Sequence, residues 1–371
     1  MTGPAGVRPL IDHHCHGVVL RELDRGAFEA MLTEADGAGP LHGSLFDTQV
    51  GMGVRAYCAP LLDLPRFAEP DAYLARRAEL GPHEVTRRML AAAGIEHYLV
   101  DTGFQPDLLT TPTQLAGYTG ARADEIVRLE TVAERVLAGT DPAGFPDAVR
   151  GALADRAASA VGFKSVAAYR VGLDLDPARP SDAEVIGAAA EVVRAGSAHR
   201  IAHATLTRFL IWTALDLGLP LQFHVAYGDS DVDLHRCDPL LLTPLLRASA
   251  GLGVPIMLLH NYPFHRSAGY LAQVFDHVFV DVGLALHNVG TRADAVVAEL
   301  LELAPFGAVL FSSDAFGLPE LYAVNVALFR RALAAFLDDG IAREHWSADD
   351  AERIAAMVCS GNAARAYRLA R

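Results

Sequence analysis

The sequence predicts an α/β fold, a (β/α)8 (TIM) barrel with helical insertions, and three observations carry that expectation. Eight short apolar runs recur along the chain, most are followed by an amphipathic helical stretch, and no glycine-rich phosphate loop follows the first run. Continuously apolar strands that alternate with helices imply a parallel sheet covered on both faces. Eight such units favour a closed barrel over an open doubly wound sheet. Without a GxGxxG or P-loop, the nucleotide-binding rivals lack their phosphate cradle. The length of 371 residues also suits a barrel of this kind built as one unit.

In chain order the expected strands are Pro9–Val19, Ile95–Phe104, Glu125–Glu130, Ala160–Ala167, Leu219–Val225, Pro255–His260, Val278–Leu284 and Ala308–Ser313. Helices are expected at Pro239–Ala250, Arg292–Leu303, Pro319–Leu337 and Ala348–Leu369, where apolar residues recur three or four apart. Two crossovers are long. Residues 20–94, rich in Arg, Glu and Ala, read as a helical insertion that could form a lid or a dimer surface, and residues 171–217 follow the fourth strand. No repeat, low-complexity tract or linker divides the chain, so 1–371 is expected to be a single domain.

Apolar residues make up 51% and charged residues 20%, enough for a large core and against disorder. A net charge of −14 disfavours a nucleic-acid or anionic-membrane partner. Mean hydropathy is positive at +0.22, yet residues 248–265, which lack Asp, Glu, Lys and Arg, carry two glycines and two prolines that would break a spanning helix. Cys15, Cys58, Cys237 and Cys359 are scattered without a CxxC pair, which fits reduced thiols. With no basic-then-apolar leader at the start, the expectation is a cytoplasmic protein acting on a small molecule, compatible with a homo-oligomer.

The 31 basic residues are one lysine, Lys164, and thirty arginines. Arginine stays charged at ordinary pH, whereas a desolvated lysine can become a neutral amine. Lys164 ends a short apolar run, which points to amine chemistry: a Schiff base, a general base, or carboxylation by CO2 to a carbamate. Chance survival beside a carboxylate is the alternative.

Residues two apart on a strand share a face, so His14 and His16 at the end of the first strand project together while Cys15 points away. Asp12 falls on the same face, where it could orient an imidazole or be an ordinary buried carboxylate. His224, His260 and Asp314 end the fifth, sixth and eighth runs, and Lys164 lies in the fourth. Barrel enzymes place reactive groups at the C-terminal ends of their strands. Any one of these histidines alone reads as a satisfied interior residue. Together His14, His16, Lys164, His224, His260 and Asp314 read as a metal site.

This arrangement resembles the amidohydrolase superfamily. Longer segments are similar to a narrower group, the amidohydrolase-like domain found alone in bacteria and fused to glutamine-synthetase-like domains in fungal and plant (nodulin-type) proteins. They are VGFKSVAAYRVGL, LQFHVAYGDSDVDLHRCDPLLLTPLLR, LLHNYPFHRSAGYLA, VFVDVGLAL and FSSDAFGLPELY, and the closing NAARAY also resembles that group. The resemblance implies two divalent ions, zinc foremost with manganese or iron as alternatives. His14, His16 and Asp314 would hold one and His224 and His260 the other, with a CO2-derived carbamate on Lys164 bridging them. It further implies a metal-activated hydroxide that cleaves a C–N bond, in an amide of γ-glutamylamide type, with Asp314 and Lys164 as catalytic residues. The same superfamily contains single-metal decarboxylases and C–C lyases, and uronate isomerases are a more distant option. A barrel retained only for binding is the non-enzymatic alternative.

Substrate contacts are less legible. Tyr169 and Arg170 could clamp a substrate carboxylate, or Arg170 could cap the crossover at the surface. Asp101 and Glu130 end strands and could face the pocket. Asp229, Asp231 and Asp233 could meet an ammonium group or face water, and His265 is expected on the solvent side. His83, His97, His199 and His345 carry no expected role.

Overall fold

The computed structural model describes residues 8–35, 41, 43–196 and 200–370, so His199 lies outside the described residues. Seven parallel strands form one sheet in chain order: β1 (Leu10–Cys15), β2 (Ile95–Asp101), β3 (Arg122–Arg128), β4 (Gly162–Ser165), β5 (Leu221–His224), β6 (Ile256–Leu259) and β7 (Val278–Val280). Helices occupy each connection, as parallel neighbours require. The expected insertion is helical, from Arg25–Glu29 to the long helix Pro70–Ala93.

The eighth expected run does not form a regular strand. Leu310 N donates to Val280 O at 2.9 Å, and Val280 and Val309 form a single bridge. On its other side His13 N donates to Phe311 O at 3.1 Å and Asp314 N to His14 O at 3.0 Å. Ser313 N instead meets the Asp12 carboxylate at 2.9 Å, which interrupts the ladder. Two other boundaries also differ. Glu130 belongs to the helix Leu129–Gly139, and β7 stops before the helix Gly283–Val289.

Alternation sorts the core into two clusters. Ile11, Leu99, Ile126, Met257, Leu259 and Leu310 from successive strands pack with Ala363, Ala366 and Tyr367 of the C-terminal segment. The alternate residues, such as Leu10, Val100, Phe163, Phe223 and Leu258, join the larger cluster with the helices. All four cysteines are free and buried, and Cys15 Sγ approaches Leu99 O in that outer layer. Among the described residues no helix is long and apolar enough to cross a membrane.

Candidate metal centre

The C-terminal ends of the strands open into a cavity of about 540 Å³, lined by His14, His16, Lys164, Tyr169, Arg170, His224, His260 and Asp314 together with other residues. All eight site residues expected from the sequence therefore reach one space. Asp314 is central: its Oδ1 lies 3.0 Å from His14 Nε2 and 3.5 Å from His16 Nε2, and its Oδ2 lies 3.5 Å from His260 Nδ1. Donor atoms of His14, His16 and Asp314 fall within 4.8 Å of one another, a metal-competent cluster. The His224 and His260 rings are 4.6 Å apart, and Tyr169 packs on His224 at 4.4 Å. Lys164 Nζ stands 3.2 Å from His14 Nε2.

Backbone strain marks the same place. His260, Asn261 and Asp314 adopt left-handed φ values of 71°, 57° and 49°, which cost non-glycine residues free energy. Met257 and Leu259 face the interior, so plain alternation would send His260 outward. The left-handed turn at His260 breaks that alternation where its ring enters the cavity.

Two histidines are held in a defined tautomer. His14 Nδ1 is 2.8 Å from Gln222 Oε1, and the other end of that amide donates to His13 O and Tyr367 Oη. With the amide so oriented, His14 Nδ1 carries the proton and Nε2 faces the cluster with its lone pair. His16 Nδ1 meets the Asp101 carbonyl at 3.2 Å, which leaves its Nε2 equally free.

The electrostatics suit ligands awaiting a cation. Burial, then Lys164, pushes the His14 imidazole down to about 3, and burial pushes His260 down to about 4. Burial and neighbouring His260 hold His224 well below its ordinary value. Burial pushes the Lys164 ammonium down to about 8, against the pull of the Asp101 and Asp314 carboxylates. Asp314 is the reverse case: burial would raise it, but His260, His14 and His16 hold it well below the usual carboxylate range. His224 Nε2 and both ring nitrogens of His260 are buried without a hydrogen-bond partner. Buried polar atoms are normally satisfied, so a second set of orphaned imidazole nitrogens beside the first cluster fits metal ligation.

Other expectations need correction. Asp12 does not orient an imidazole. A register shift between Asp12 and Cys15 turns its carboxylate to Ser313, where it bonds both backbone N–H and hydroxyl. The same irregularity lets neighbouring His13 and His14 both turn inward. Glu130 is buried under β4, accepting from Ser165 Oγ at 2.8 Å and Val166 N at 3.0 Å, and it does not line the cavity. Asp101 likewise stays out of the cavity and holds Arg128. His265 is buried rather than solvent-facing, stacked on Tyr262 and 2.7 Å from Glu299. Asp229 and Asp231 reach the cavity rim, where Asp231 pairs with Arg200, and Asp233 precedes the short turn at Leu234–Arg236. His83 bonds Tyr118 Oη, His97 bonds Asp124, and His345 lies beside Trp346.

Sequence reasoning missed Gln222, Arg128 and His287. Gln222 had a signal, since it sits two residues before His224 and shares its face. Arg128 ends β3 as the register partner of Lys164. His287 lines the cavity from a helix, its Nδ1 3.1 Å from Asn325 Nδ2, and no strand-end pattern marks it.

A parallel α/β sheet with this cluster at its strand ends is the design of a metal-dependent enzyme of the amidohydrolase type. The amidohydrolase family model matches residues 116–369, more than half of the chain, and the chain belongs to that family. It is 28% identical to protein fluG of Emericella nidulans over 97% of this chain and 46% of that protein. The chain thus spans about half the length of that curated relative. A Lactobacillus casei ATCC 334 structure, described provisionally as a metal-dependent hydrolase, is 30% identical with a TM-score of 0.88, covering 98% of this chain and 96% of that one. A uronate isomerase from Bacillus halodurans C-125 shares the fold, at 13% identity and a TM-score of 0.62, covering 98% of this chain and 94% of that one.

Proposed function

We propose that this protein hydrolyses a C–N bond in a small amide of γ-glutamylamide type at a binuclear metal centre. The observation that carries the proposal is Lys164: a buried amine 3.2 Å from His14 Nε2 and without an ion-pair partner among the described residues. An unpaired buried ammonium is costly. Carboxylation replaces that cation with an anion that bound divalent cations would stabilise: the ammonium first gives up a proton, the neutral Nζ lone pair forms a bond to the carbon of CO2, and a second proton leaves to give the carbamate. His14, His16 and Asp314 would hold one ion, His224 and His260 a second, with the carbamate between them. Zinc suits this donor set, and manganese or iron would also fit.

Divalent ions bound there would supply Lewis acidity and an acidified water. Gln222 and the Asp101 carbonyl keep the His14 and His16 Nε2 lone pairs available. Asp314, set among His14, His16 and His260, would take a proton from the attacking water on its carboxylate and deliver it to the departing nitrogen. Tyr169, packed on His224, would bound the substrate space, and Gly228 leaves room for it, since a Cβ there would come within 2.2 Å of Tyr169 Oη. We read the 308–313 segment as the eighth strand of a closed (β/α)8 barrel, because it bonds both β7 and β1.

The test is a panel of small amides assayed for released amine, alongside carboxylic acids assayed for CO2. Amine release lost on metal removal and restored on resupply is expected. CO2 release without amide cleavage would replace the hydrolase reading with the decarboxylase one.

A further inference from the structure

We propose that Arg128 is the receptor for a carboxylate on the substrate, a deepening that rests on the hydrolase reading above. Arg128 and Lys164 are register partners on β3 and β4, and neighbours in register on a parallel pair present the same face. The Arg128 guanidinium therefore enters the cavity beside the lysine, and it lines that cavity.

Its surroundings are built to hold it still. Asp101 Oδ2 accepts from Arg128 Nη2 at 2.6 Å and from Nε at 3.1 Å, and Asp101 Oδ1 accepts from Gly103 N at 2.9 Å. The guanidinium carbon lies 5.3 Å from the centre of the Phe104 ring. A Cβ on Gly103 would come within 2.2 Å of Arg128 Cβ, so that position admits only glycine without displacing the arginine. These contacts occupy one edge of the fork. Nη1 makes no hydrogen bond to the protein among the described residues and is not among its enclosed unsatisfied atoms. With Arg128 lining the cavity, the edge left open by Asp101 offers donors arranged for a planar carboxylate.

The other arginines at the cavity are less available. Arg170 Nη2 pairs with Glu134 at 3.1 Å, and its Nε and Nη1 are shut away from solvent. Arg200 pairs with Asp231 at 2.6 Å at the exposed rim. Arg128 thus takes over the clamp that sequence reasoning gave to Tyr169 and Arg170.

The experiment compares N-methylglutaramate with its capped analogue N-methylglutaramide by isothermal titration calorimetry on the metal-containing protein. The wild type is expected to bind the free acid at least about tenfold more tightly, the scale of a charge-assisted fork. Arg128→Met should abolish that preference, and Arg128→Lys should keep only part of it, having charge without the fork. Because Arg128→Met leaves Asp101 unpaired, the Asp101→Asn/Arg128→Met double variant removes both charges and should also show no preference. A preference that survives in the Met variants, no preference in the wild type, or binding of neither compound would overturn the assignment. Tight binding of the acid without amine release would count against hydrolysis and leave Arg128 in place.

Discussion

Acidification of the metal-free protein should expose the tension stored in its histidines. Burial pushes His14 down to about 3 and His260 and His287 down to about 4, while the unfolded chain titrates near 6.5. Their stabilisation is complete above pH 6.5 and is lost as pH falls toward those folded values, because only the unfolded chain takes up the protons. From pH 7 to pH 5 each imidazole costs about 2 kcal/mol. His224, also held well below its ordinary value by burial, adds to the loss. Asp12 opposes it: burial pushes that carboxyl up to about 8, so its protonation returns about 3 kcal/mol over the same interval. Leaving His224 aside, the net loss is about 3 kcal/mol. With an unfolding entropy of about 2.1 cal/mol/K per residue over 371 residues, Tm should fall by about 4 °C or more. Scanning calorimetry at constant ionic strength on chelator-stripped protein measures this directly. A Tm that stays flat or rises toward pH 5 would refute the argument that these rings are buried and neutral. Restored metal should raise Tm at pH 7 by more than at pH 5, since protons compete for the same nitrogens.

Three further outcomes follow from named contacts. Gln222→Leu removes the partner of His14 Nδ1 and should weaken metal binding about 10- to 100-fold in a chelator competition, with the fold retained by circular dichroism. Lys164→Arg keeps the charge but cannot form a carbamate, so it should lose at least one metal and most activity; a fully active variant would remove the bridging role. Arg77→Met breaks the 2.7 Å buried pair with Glu320 that ties the helix Pro70–Ala93 to the helix Pro319–Ala342, at a cost of about 3–5 kcal/mol in urea unfolding. Adding Glu320→Gln should recover part of that loss.

The legible part of this protein was whatever the period of a strand encodes. His14, Lys164, His224 and Asp314 stand at the ends of apolar runs, and their residue types announce ligand chemistry. His260 reached the site only through a left-handed turn that breaks alternation, so its inclusion from sequence rested on position rather than facing. Asp12 proved to be the ordinary buried carboxylate rather than an imidazole's partner, and the register shift in β1 that decides between the two has no local signature. Tyr367, whose hydroxyl supports Gln222 across 145 positions of sequence, could not be found by any local pattern. Arg128 drew no reading from the sequence; only the fold reveals that Asp101 and Phe104 hold it at the cavity wall. The eighth run kept its apolar strand composition but lost regular pairing, since Asp12 captures the Ser313 N–H.

Metal content per chain, measured by elemental mass spectrometry on protein purified without chelator, tests the central claim most directly. The arrangement of His14, His16 and Asp314 beside His224, His260 and Lys164 predicts a value near two, falling to one or less in Lys164→Arg. A wild-type value of one or less, unchanged after metal and bicarbonate are resupplied, would contradict the binuclear centre.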